Sequence, residues 1–234
     1  MPSGKKSRAA RRAERAKLPP PARSAGVLRS SDSWLSGNHR WWWAGGGALA
    51  VIAVVGIAIV LSGGAPAKPV RVDFAQLPAV QTGPPPWNNG VGELQGDLAI
   101  LHLDPLAQEA LAFHVHDHLL VYADGKRAAV PQGIGISSFI TELHTHASDG
   151  VLHVESARSR PYTLGQFFGE WAVTLSARCL GSYCGQLHWW VNGRARSGNP
   201  ALLNLVKPAH QEIVLAAGKP PAKIPTSYHF SAGE

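Results

Sequence analysis

Between Ala112 and Tyr122 apolar and polar side chains alternate. The odd positions are Phe113, Val115, Asp117, Leu119 and Val121, and the even positions include His114, His116 and His118. A period of two predicts a strand with one largely apolar face and one histidine face. Asp124-Gly125 then marks a two-residue hairpin turn. Asn192-Gly193, after a strand at Leu187–Val191, marks a second, and Asp149-Gly150 a third. Thr163 and Gln166 form a capping-box pattern, and Leu164, Phe167, Phe168 and Trp171 follow at helical spacing. These aromatics are read as core. Glu212 to Ala216 reads as a closing strand. The pattern predicts an α+β class, with a small strand-rich domain over 91–218 built from β-hairpins and one packed helix.

A different pattern precedes it. Trp41 to Leu61 is an uninterrupted apolar run without charge or proline. A run of about 20 residues spans a hydrocarbon core, and Trp41, Trp42 and Trp43 suit the headgroup level. The expectation is a single transmembrane helix over 41–62. A cleaved signal peptide is the competing reading, but its apolar region is shorter, about 7–15 residues. The Pro/Gly-rich stretch 63–90 reads as a semi-rigid linker and 219–234 as a C-terminal tail.

Charge sharpens the orientation. The chain has 22 Lys plus Arg against 15 Asp plus Glu, a net charge of +7. Residues 1–40 hold ten of those basic groups and only two acids, so the excess sits ahead of the apolar run. The positive-inside rule places this disordered tail in the cytoplasm and the C-terminal domain outside the cell membrane. The rest of the chain holds 12 basic and 13 acidic groups, so no basic domain is present for nucleic acid. The expected partner is the membrane, together with a metal ion or a metal-handling protein.

Six of the eleven histidines fall between 114 and 153. Neutral imidazole suits zinc and copper. With a two-residue turn at Asp149-Gly150, His146 would face His153 and His144 would face Glu155. All four would then share one sheet face, since side chains at i and i+2 do. His144, His146 and His153 are therefore the first candidate ligands, and His114 and His116 the next. His114, His116 and His118 span about 13 Å by strand rise, too far for all three to share one ion. The cupin spacing, with Glu three or four residues after His-x-His, is not met, because Glu155 comes too late.

Cys179 and Cys184 are read as a local disulfide clip, as an extracytoplasmic compartment favours. The segments LHTHASDGVLHVES, YTLGQFFGEW, CLGSYC and WVNGR resemble an uncharacterised family of bacterial, largely actinobacterial, membrane-anchored proteins. That resemblance covers about 110 residues and implies no activity. Where the family reads His-Thr-His-Asp, Ala147-Ser148 here precedes Asp149. The order of helix and Asn-Gly hairpin is also similar to transcobalamin-like β-grasp domains, which implies a β-grasp-like fold and binding in preference to catalysis. The leading expectation is a non-catalytic, extracytoplasmic copper- or zinc-binding domain. The alternatives are a metal-dependent enzyme with Glu155 as base, and a protein-interaction module with surface histidines.

Overall fold

The computed structural model describes residues 68–110 and 112–232. The expected transmembrane helix at 41–62 and the basic tail ahead of it lie outside the described residues. Among the described residues no helix is long and apolar enough to cross a membrane.

In chain order the elements are helix α1 (Leu94–Leu101) and strands β1 (Pro105–Leu106), β2 (Phe113–Ala123), β3 (Lys126–Ala128), β4 (Ile140–Thr141), β5 (Leu143–His144) and β6 (Val151–Ser156). Helix α2 (Leu164–Glu170), β7 (Cys179–Leu180), β8 (Tyr183–Cys184), β9 (Leu187–Val191), β10 (Arg194–Arg196) and β11 (Glu212–Ala217) follow. The described residues form a strand-rich α+β fold with one mixed seven-stranded sheet and two small two-stranded ones. The large sheet runs β10-β9-β11-β2-β6-β5, and β3 pairs β2. β11 is parallel to β2, and the other pairings are antiparallel.

The alternating segment folds as the long central strand β2. Its odd face carries Leu119 and Val121 into an apolar cluster with Leu152 and Val154 of β6, Ile213 and Leu215 of β11, and Phe167, Phe168 and Trp171 around α2. The Thr163 capping box forms from both sides, with Thr163 Oγ1 accepting from Gln166 N and Gln166 Oε1 accepting from Thr163 N. Asp124 and Gly125, and likewise Asn192 and Gly193, have the positive φ pairs that a tight primed turn demands. Cys179 and Cys184 are disulfide-bonded across the β7–β8 pair.

Two segments at the margins join the domain. Leu77 and Trp87, inside the stretch read as linker, are buried. The Trp87 ring packs edge-on against Trp171 at 5.6 Å, and its Nε1 donates to Gly83 O. Trp171 Nε1 in turn donates to Asn88 O. Two large aromatics that satisfy each other's surroundings outweigh the spacer composition of the residues between them. At the other end, Tyr228 stacks on His118 with centroids 3.9 Å apart, and Phe230 stacks on His210. The segment read as a C-terminal tail thus lies on the even face of β2. Helix α1, absent from the sequence reading, has no side-chain cap at Glu93.

Two buried acids sit within the fold. Asp117, on the odd face of β2, accepts from Gln211 N at 2.7 Å, and burial pushes its carboxyl up to about 8 against those bonds. Glu170 is fully enclosed, and neither of its carboxylate oxygens has a hydrogen-bond partner. Burial holds the Glu170 carboxyl well above its ordinary range, against an opposing contact from Thr141 and with Glu142 adding to it. The folded state keeps a proton there that the unfolded chain releases, so stability falls as pH rises above the ordinary carboxylate range. Glu170→Gln removes that term, and its melting temperature is expected to decline less than wild type between about pH 5 and pH 8. Trp87→Ala is expected to cost about 3–5 kcal/mol in thermal or denaturant unfolding. A change within about 0.5 kcal/mol would mean that the residue is only spacer.

Candidate metal centre

Three neighbouring strands set one row of imidazoles. His116 of β2 is paired with His153 of β6, and His153 is paired with His144 of β5. His114 of β2 is paired with Glu155 of β6. All of these lie on the even face of β2, away from the apolar cluster.

The hairpin register differs from the expected one. His144, not His146, faces His153, and residues 145–150 form a longer loop. Asp149 does not take the left-handed conformation that a primed turn needs; its Oδ1 accepts from Val151 N. Thr145 is drawn out of the ladder by the 131–134 segment. Its amide donates to Ile134 O, its carbonyl accepts from Gly133 N, and its hydroxyl donates to Pro131 O. The displacement is two residues, and an even slip keeps each side chain on its face. The predicted face therefore survives the wrong register.

His144, His146, His153 and Glu155 each offer one donor atom, and these atoms lie within 4.8 Å of one another. His144 Nε2 is 3.2 Å from His146 Nε2 and 3.5 Å from Glu155 Oε1. His153 Nδ1 is also 3.5 Å from Glu155 Oε1. A tetrahedral ion with bonds of about 2.0–2.1 Å needs donors roughly 3.3–3.5 Å apart. His144 Nδ1 donates to Thr141 O at 2.9 Å, which leaves its Nε2 as the free donor pointing into the group.

Glu155 is 1% exposed. Burial pushes its carboxyl up, but the contacts with His144 and His153, with His114 also beside it, outweigh that and hold it well below the usual carboxylate range. It is an anion in the form a metal requires. Its Oε2 is buried without a hydrogen-bond partner, an arrangement that a bound cation satisfies. The residues present therefore fit a metal ion. His146 is the exposed member: its Nε2 lies 3.3 Å from Glu109 Oε1, and burial followed by the charges of His144 and His153 lowers its pKa.

His114, His116 and His153 make a second group within the same limit. His116 Nε2 is 3.0 Å from His153 Nδ1, and His114 Nε2 is 3.1 Å from Glu155 Oε1. His118, third on the strand, turns elsewhere. Its Nδ1 lies 2.7 Å from Glu212 Oε2 and its Nε2 3.1 Å from Asp149 O. Glu109 was not legible from sequence, since nothing in its neighbourhood marks it as near a histidine 37 positions on.

A second polar network anchors the strand under His144. Glu142 accepts from Arg160 Nη2 at 2.6 Å, from the Tyr162 hydroxyl at 2.5 Å and from Asp104 N at 3.1 Å. The Glu142 carbonyl also accepts from Glu155 N at 2.9 Å. Burial and the bond to Glu142 push the Tyr162 phenol up to about 12. Comparison of the chain with family models, with curated proteins and with solved structures finds no match.

Arg160→Ala leaves the Glu142 carboxylate buried without its cation. It is expected to lower unfolding stability by about 3 kcal/mol, measured with denaturant. A loss under about 0.5 kcal/mol would show that the network does not brace β5.

Proposed function

We propose that this protein is a membrane-anchored, extracytoplasmic domain that binds one transition-metal ion, copper or zinc, without turnover. His144, His146, His153 and Glu155 are its ligands. The observation that carries the reading is the donor set itself, three imidazole nitrogens and a buried carboxylate oxygen within 4.8 Å of one another, with His144–His146, His144–Glu155 and His153–Glu155 at 3.2–3.5 Å. The apolar run at 41–61 and the basic residues ahead of it support the anchor and its orientation. The four quoted segments support a place among the actinobacterial membrane-anchored proteins. The parallel β2–β11 pair, flanked by antiparallel hairpins and a packed helix, supports a β-grasp-like topology.

A second reading is a metal-dependent enzyme, and one observation favours it. A cleft of about 540 Å³, lined by Glu109, Ile136, Phe139 and Ile140 among others, adjoins the centre at the Glu109–His146 pair. Glu155 is enclosed, so in that reading the base would be the half-exposed Glu109.

The test is a titration of the full chain, purified in detergent, with Zn²⁺ and with Cu²⁺. One equivalent is expected to bind and to stabilise the fold, by about 2.7 kcal/mol at a free metal concentration 100 times Kd. His146→Ala is expected to weaken binding at least about tenfold. If wild-type protein binds neither ion, or if His146→Ala binds as tightly as wild type, the reading fails.

A further inference from the structure

The two histidine groups are not two sites. They share His153, whose Nδ1 lies within reach of both, 3.0 Å from His116 Nε2 and 3.5 Å from Glu155 Oε1. One nitrogen lone pair binds one ion, so the two groups cannot be filled together. Glu155 Oε1 also touches both, at 3.5 Å from His144 and 3.1 Å from His114. The common ligand is thus His153 of β6, in the middle of the row, while Glu155 belongs to the β5-side group alone.

Each group has one exposed member and at least one enclosed one. On the β5 side the His146 side chain is 40% exposed and His144 is fully buried. On the β2 side His114 is 30% exposed and His116 is 3% exposed. A structural metal site closes its ion in with a fixed, complete set of ligands. This arrangement gives one ion two overlapping positions, each with its own door to solvent.

We infer that the centre is a two-position relay, in which one metal ion passes between a β5-side set (His144, His146, with Glu155) and a β2-side set (His114, His116) while His153 stays bound. The inference rests on the metal-binding reading above and goes beyond it. No step needs a redox change. Each imidazole on one side leaves as one on the other arrives, so the charge of the ion is kept. Glu155 ligates on the β5 side, and its Oε1, 3.5 Å from His153 Nδ1, leaves its charge beside the ion on the β2 side as well. An ion taken up at one rim can be surrendered at the other, as a carrier requires.

The experiment uses the full chain in detergent, Zn²⁺ with a competing chromophoric chelator for stoichiometry and affinity, and Co²⁺ absorption for coordination. Wild type is expected to bind a single equivalent. The double variants His144→Ala/His146→Ala and His114→Ala/His116→Ala are each expected to keep one equivalent, weakened by about 10–100-fold. Their Co²⁺ spectra should differ from each other, because different ligands remain. His153→Ala is expected to weaken binding by more than either double variant. Two equivalents in wild type would overturn the relay, and that measurement needs no variant to fold. So would a double variant that loses binding as fully as His153→Ala, since that describes one fixed site. In each of these outcomes wild-type binding persists, and the metal-binding reading stands. Failure of wild type to bind any metal overturns that reading and the relay with it.

Discussion

The placement of β6 between β2 and β5 governs the rest. Backbone pairing holds neighbouring strands about 4.8 Å apart, and directly opposed side chains stand at about the same separation. His116, His153 and His144 therefore arrive in a row without any side chain having to search for its neighbour. The odd face of the same strands is tied into the apolar cluster by Val154, Leu152, Leu119 and Leu143. Hydrophobic burial on one side fixes the register, and the register fixes the donors on the other. A slip of one residue would exchange the two faces, so the core defends the geometry of the centre.

Glu155 completes that arrangement electrostatically. Six histidines in 40 positions would tend to repel one another once protonated, and a lone buried carboxylate would be costly. Together they offset each other. The carboxylate sits at 3.1–3.5 Å from three of the rings. The Glu142–Arg160–Tyr162 network then braces the short strand that carries His144, which by itself has only two residues in the ladder.

What could be read in advance was whatever local chemistry decides. The period of two in β2, the Thr163 capping box and the positive φ at Asp124-Gly125 and Asn192-Gly193 follow from neighbours in sequence. The even face of histidines followed too, and it withstood an error at Asp149-Gly150 because that error was even. What was hidden depends on distant residues. Thr145 leaves the ladder to bond residues 131–134, which no local rule at 149–150 reveals. Trp87 looked like spacer because of the prolines around it, and distant residues, Trp171 and Gly181, give it a place in the core. Helix α1 lacks a capping side chain, and Glu109 meets His146 only because the fold brings them together.

The shortness of β5 has a mechanical consequence. It is the edge of the sheet, and its ladder with β6 covers only Leu143 and His144. Edge elements with few bonds are the first to fray. β2 and β6, in contrast, are paired over six positions. The centre is then a vice with one fixed jaw and one movable one. Opening it frays two ladder residues, lifts Leu143 from the apolar cluster and works against the Glu142–Arg160–Tyr162 brace, so the rate at which an ion escapes toward the loop 145–150 is tied to the breathing of a sheet edge.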